Sequence, residues 1–199
     1  MKIALFGGAF NPIHLAHIRL AEYAKAECSI DKVLFMPTYD SPHKSTTKAV
    51  PYKDRMEMCR LAVKDNDDFI VSDVESTIKG KSYSYVTLEK LKNIYPNDKL
   101  YLIIGADMYL SLLNWKNPER IFQLSDIITC PRDNGDYNSI LEYSKHLKSF
   151  GCCSHILKEP IMDLSSTLIR NNLSKYYELG LVDKKVYDYA VKHNLYEVK

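Results

Sequence analysis

Ile3-Ala4-Leu5-Phe6-Gly7-Gly8-Ala9-Phe10-Asn11-Pro12-Ile13-His14-Leu15-Ala16-His17-Ile18-Arg19-Leu20 decides how the rest of the chain is read. The four apolar residues at 3–6 have the length and bulk of a buried strand. Two glycines, an Asn-Pro pair and two histidines three residues apart follow. Beyond them Ile18, Leu20, Ala21, Ala24 and Ala26 suggest a helix with one apolar stripe. Strand, glycine turn, histidines and helix, in that order, put backbone N–H groups and two imidazoles at a helix N-terminus. Negative charge is favoured there. A phosphate group is expected at this turn.

Outward from it the same alternation repeats. Short apolar runs predict strands at 32–36, 69–74, 100–104, 127–130 and 156–157. Helical spacing predicts helices at 52–64, with Met56, Cys59, Ala62 and Val63 inward, and at 87–94, with Leu88 and Leu91 inward. Further helical pieces are expected at 108–113, 118–124, 140–150, 167–173 and 183–193. Short strands alternating with helices imply an α/β fold, a doubly wound parallel sheet with helices on both faces. A small helical portion, from about 165 to 199, closes the chain, and residues 1–199 read as one domain. Polar stretches follow the strands that end at Phe6, Met36, Val74 and Ile104. Open α/β sheets bind ligands at that end.

Bulk properties narrow the function. With 27 basic and 25 acidic side chains the net charge is +2, too balanced for a nucleic-acid or anionic-membrane surface. Any anion must be held locally. The five cysteines, at 28, 59, 130, 152 and 153, are odd in number and lack C-x-x-C spacing, so they read as reduced thiols in a cytoplasm. Cys152, Cys153 and His155 cluster, but too tightly for a tetrahedral site, and no metal held by protein ligands is expected. The start of the chain does not suit a signal sequence, and no run has the length of a membrane span. A soluble cytoplasmic protein is expected.

Two common phosphate signatures fail. A G-x-G-x-x-G fingerprint would need glycines where Ala9 and Pro12 stand. Gly80-Lys81-Ser82 looks like the tail of a P-loop, but Glu75 occupies the earlier glycine position.

The run from Gly7 to His17 instead resembles the G-G-x-F-[DN]-P-x-H-x-x-H signature of the nucleotidyltransferase superfamily of adenylyl- and cytidylyltransferases. Ser165-Ser166-Thr167-Leu168-Ile169-Arg170 resembles that superfamily's I-S-S-T-x-I-R block, in the expected order. Three further blocks are similar to those of bacterial nicotinate mononucleotide adenylyltransferases. They are Pro37 to Lys44 (P-x-x-x-P-H-K), Ser82 to Leu88 (S-Y-T-x-x-T-L) and Ile104-Gly105-Ala106-Asp107 followed by Trp115 (I-G-x-D…W). The resemblance spans essentially the whole chain and implies a Rossmann-like sheet. The implied reaction is adenylyl transfer from ATP to nicotinate mononucleotide, giving deamido-NAD and pyrophosphate.

The resemblance also implies roles. His14 and His17 would hold the triphosphate near its α- and β-phosphates, against Gly7, Gly8, Ala9 and Phe10. Ser166 and Thr167 would donate to the β- and γ-phosphates, Arg170 would add a forked cation, and Gly105 and Asp107 would complete the ATP site. Lys44, Ser82, Tyr83, Ser84 and Trp115 would take the mononucleotide, Trp115 with a flat face for the ring. Lys44 joins His14, His17 and Arg170 as the catalytic set, and Mg²⁺ would arrive on the ATP phosphates. Four positions depart from the usual pattern: Ala9 for a hydroxyl residue, Ala16 for glycine, Ser84 for threonine and Lys116 for an aromatic residue. Other readings stay open at this point. Nicotinamide mononucleotide, phosphopantetheine or a cytidylyl acceptor could replace the acid, a nucleotide sensor could keep the fold without turnover, and a homodimer is compatible with the sequence.

Overall fold

The computed structural model describes residues 1–40, 50–131, 136–158, 162 and 164–196. Strands β1 (Lys2–Gly8), β2 (Lys32–Pro37), β3 (Phe69–Val71), β4 (Lys99–Ile103), β5 (Asp126–Thr129) and β6 (Ser154–Ile156) form one sheet. All its pairings are parallel, in the order β3-β2-β1-β4-β5-β6. The chain therefore runs outward from β1 to β3, then crosses back to lay β4 on the other side of β1. That reversal is a topological switch point, and the carboxyl ends of β1 and β4 diverge there.

Side-chain alternation along the strands builds two cores. Ala4, Phe6, Val33, Phe35, Tyr101 and Ile103 face one way. They meet α1 (Leu15–Cys28), α2 (Tyr52–Val63), α7 (Ser166–Asn171), α8 (Leu173–Glu178) and α9 (Lys184–Lys192) through Leu20, Met58, Ile169, Leu173 and Val186. Ile3, Leu5, Leu34, Leu100 and Leu102 face the other way. They meet α3 (Ser84–Ile94), α4 (Ala106–Leu110), α5 (Pro118–Leu124) and α6 (Asp136–Lys148) through Leu88, Leu91, Tyr109, Ile121 and Ile140. The central strands are buried on both faces, and so they read as continuous apolar runs.

Several boundaries differ from the sequence reading. The third strand stops at Val71: Ser72 makes the last rung to Phe35, and residues Val74–Thr77 coil into a 3-10 turn instead of extending the strand. This turn brings Glu75 inward. The helix expected at 167–173 is two helices, because the Asn172 side chain accepts from the Lys175 N–H and caps a new one. The third helix starts at Ser84, three residues early, and a 3-10 turn at Leu112–Asn114 splits the piece expected at 108–113. Ala62 is only half-buried, whereas Met58 lies fully inside. No described helix is long and apolar enough to cross a membrane.

Candidate active site

A cavity of about 670 Å³ opens at the carboxyl ends of β1 and β4, at the switch point. Its volume falls within the range of small-molecule sites. Gly7, Gly8, Ala9, Phe10, His14, His17, Ser82, Tyr83, Ser84, Gly105, Asp107, Trp115, Ser166, Thr167 and Arg170 all line it. These residues come from the strand β1 turn, the start of α3, the turn after β4 and the start of α7. Lys44, with the rest of residues 41–49, lies outside the described residues.

The two glycines differ in what they allow. A Cβ on Gly7 would meet nothing within 4 Å, so that backbone faces open space in the cavity. A Cβ on Gly8 would stand 3.1–3.3 Å from the Phe10 ring. Phe10 itself adopts φ 44 and is buried, its ring meeting Phe6, Phe35 and His17 edge-on or tilted. Phe10 thus forms the floor beneath the histidines.

The His14 and His17 rings lie against each other with centroids 3.7 Å apart and planes tilted by 31°, at the first turn of α1. The His14 backbone N–H donates to His17 Nδ1 at 3.2 Å, which leaves the His17 proton on Nε2. His14 is buried, and its Nδ1 has no hydrogen-bond partner. Burial lowers the His14 pKa to about 3; burial and the neighbouring His14 hold His17 well below its ordinary value. Near neutral pH both rings are therefore uncharged N–H donors.

Across the cavity mouth, α7 is bolted to the glycine turn. Arg170 donates through Nη1 to the Asn11 carbonyl at 2.7 Å and through Nη2 to Thr167 Oγ1 at 2.9 Å. Ser166 Oγ donates to the Pro12 carbonyl at 2.9 Å, and Ser165 caps the helix by accepting from the Leu168 N–H. Two motifs from opposite ends of the sequence become one wall.

The residues matched by the family model for cytidylyltransferase-like proteins run from 5 to 172 and so contain both motifs and the whole cavity. The chain belongs to that cytidylyltransferase-like family. Within it, the chain is similar to proteins named as probable nicotinate-nucleotide adenylyltransferases. One named "probable nicotinate-nucleotide adenylyltransferase" from Syntrophotalea carbinolica is 36% identical, with 98% of this chain and 97% of the relative aligned. Another of that name, from Caldicellulosiruptor saccharolyticus, is also 36% identical over 99% of this chain and 100% of its own. The fold matches the Plasmodium falciparum nicotinic acid mononucleotide adenylyltransferase complexed with NaAD, with a TM-score of 0.80 and 20% identity. That match covers 100% of this chain and 98% of the other.

For this member of the cytidylyltransferase-like family, the structure adds residues to which the motif reading gave no site role. Glu75 lines the cavity, as does Lys116, noted in the sequence only as a departure from the motif. Arg55, buried on α2, donates to the carbonyls of Ala9 at 2.7 Å, Thr38 at 2.8 Å and Val50 at 3.1 Å. It therefore ties the glycine turn to the end of β2. Glu75 accepts from the Tyr39 N–H at 3.1 Å and from Thr87 Oγ1 at 3.1 Å. Burial raises its pKa, against hydrogen bonds from Ser82, Tyr39 and Thr87 and the charge of Arg55. Ser82 also exchanges hydrogen bonds with the Asp40 backbone. Arg55 gives no spacing signal in the sequence; Glu75 was visible only as the residue that broke the P-loop pattern.

Among the described residues, the one cluster of metal-ligand type is Asp126, Cys153 and His155, not the expected trio with Cys152. Cys152 is buried and packs in the second core, and Cys153 is exposed. The cluster sits at the start of β5, just before β6 and on β6, and none of its residues lines the cavity.

Proposed function

We propose that this chain transfers the adenylyl group of ATP to nicotinate mononucleotide, releasing pyrophosphate and forming deamido-NAD. The observation that carries the reading is the joining of the Gly7–His17 turn to the Ser165–Arg170 block around one cavity. The names of the curated relatives, aligned over nearly the whole chain, point the same way.

A phosphate monoester is largely ionised near pH 7, its second pKa being about 6, so the nucleophile needs no general base. One of its oxygens forms a bond to the α-phosphorus as the bond from that phosphorus to the α–β bridging oxygen breaks. The electron pair leaves with pyrophosphate. Positioning and charge stabilisation are what remain for the protein to supply. His14 and His17 line the cavity beside Gly7, where the absence of a Cβ admits phosphate oxygens closely, and the His17 proton on Nε2 supplies a neutral donor. Arg170, Ser166 and Thr167 take the β- and γ-phosphates from the other wall, where charge builds on the leaving group. Lys44 supplies a further point charge to the phosphates.

Among the described residues the lining offers hard oxygen from Asp107 and Glu75 and no thiol, a donor set that suits a hydrated Mg²⁺ carried by the triphosphate. Bound so, Mg²⁺ would neutralise phosphate charge, with Asp107 reaching it directly or through water.

Pyrophosphate release from ATP and Mg²⁺ upon addition of nicotinate mononucleotide tests the reading. Stoichiometric release supports it; ATP binding without release in the presence of this acceptor rejects it.

A further inference from the structure

We propose that Lys116 is the cation that selects a pyridine mononucleotide bearing a carboxylate over one bearing an amide. This deepens the adenylyl-transfer reading and rests on it. Lys116 follows Trp115, the residue that caps the 3-10 turn Leu112–Asn114, and it lines the cavity beside Trp115, Tyr83 and Ser84. Its Nζ stands over the Tyr83 ring, 4.7 Å from the centroid. The side chain is exposed, so it can leave that ring face without unpacking the core.

The inventory of charge in the cavity gives this ammonium its meaning. Among the described lining residues, the full cations are Arg170 and Lys116. Arg170 belongs to the first face of the sheet, where α7 packs through Ile169, and it is held by Asn11 and Thr167. Lys116 belongs to the second face, where Trp115, Leu113 and Tyr85 pack. A nucleotide spanning the strand ends thus meets Arg170 with its phosphates and Lys116 with its pyridine side. The two histidines add no positive charge, because burial keeps them neutral.

Glu75 and Asp107 line the same cavity. By charge alone they disfavour an acid, and a site containing only those two would prefer the amide. Lys116 reverses that preference. A cation over an exposed aromatic face is held weakly, whereas an ammonium–carboxylate hydrogen bond is short and charge-assisted. An arriving carboxylate therefore draws Nζ from Tyr83; a carboxamide oxygen, carrying no net charge, draws it far less.

The test is the ratio of kcat/KM for nicotinate and nicotinamide mononucleotides at saturating ATP and Mg²⁺, in the wild type and in Lys116→Met, Lys116→Arg and Lys116→Glu. The wild type should favour the acid, and Lys116→Met should lower the acid-to-amide ratio by about tenfold or more. Lys116→Arg should keep most of the ratio, and Lys116→Glu should push it below that of Lys116→Met. A ratio that Lys116→Met leaves unmoved overturns the role of Lys116, as does a wild type with no preference for the acid. A wild type that releases pyrophosphate with neither mononucleotide overturns the adenylyl-transfer reading itself, and this inference with it.

Discussion

Arg170 Nη1 lies 2.7 Å from the carbonyl oxygen of Asn11, and through this bond the last motif of the chain grips the first. Asn11 is fixed in turn by Tyr196, whose hydroxyl donates to Asn11 Oδ1 at 2.7 Å. The C-terminal helices thus act as a brace for the glycine turn, holding donors in place before any anion arrives. Such preorganisation is what makes a donor effective against developing charge.

Removing one such donor has a predictable size. Arg170→Ala and His17→Ala should each lower kcat by roughly 10²–10³, corresponding to about 2.7–4 kcal/mol. Both variants should retain a cooperative thermal transition by circular dichroism. Near-normal turnover in either would remove that side chain from the reaction.

The glycines separate packing from ligand access. Gly7→Ala should leave the urea midpoint close to the wild type, since the new methyl meets no atom, yet weaken ATP binding by filling the cavity. Gly8→Ala should destabilise the fold by about 1–3 kcal/mol, because its methyl presses on the buried Phe10 ring. Chemical denaturation and ATP titration on the two variants check both halves. Equal loss of stability would contradict the distinction.

Arg55 and Glu75 form the framework beneath the site. Arg55→Met leaves the carbonyls of Ala9, Thr38 and Val50 without their donor, and should cost about 3 kcal/mol or more in unfolding free energy. Glu75→Gln keeps one accepting oxygen and puts an amide NH2 where the other stood, so it loses one of the two bonds to Tyr39 and Thr87 and should raise KM for the mononucleotide more than KM for ATP. Urea denaturation and paired KM measurements report the two effects.

How much of this was legible in the sequence follows from what each residue does. The cavity-lining residues of each wall lie close together in sequence, so Gly7 to His17 and Ser165 to Arg170 stand out as compact motifs. The doubly buried strands were plain because they read as unbroken apolar runs. Arg55 was silent: its work is done on backbone carbonyls from three separate segments, and no side-chain pattern encodes that. The early end of β3 was missed because Val74 extends the apolar run, while the polar Ser72-Asp73 pair turns the chain away from the sheet. The break at Asn172 was missed for a related reason, since a mid-helix Asn becomes a cap only when its side chain takes the Lys175 N–H.

The buried histidines also set a pH dependence. His14 titrates near 3 when folded, against 6.5 as a free side chain, and His17 shifts in the same direction. Between those values the unfolded chain binds protons that the folded chain does not, so stability is present in full above pH 6.5 and falls as the solution is acidified. His14 contributes a slope of roughly 1 kcal/mol per pH unit in this window, and His17 adds in the same direction. Urea denaturation between pH 6 and pH 5 should show a shallower loss for His14→Gln than for the wild type. Identical slopes would mean that His14 is solvated.

The central claim is attack at the α-phosphorus of ATP by a mononucleotide phosphate. ATP labelled with ³²P at the α-position, incubated with Mg²⁺, nicotinate mononucleotide and the wild-type chain, tests it most directly. The account predicts that the α-label appears in a dinucleotide, and that a γ-label in a parallel reaction leaves in pyrophosphate. Label from the γ-position on the mononucleotide, or no transfer of the α-label at all, would contradict it.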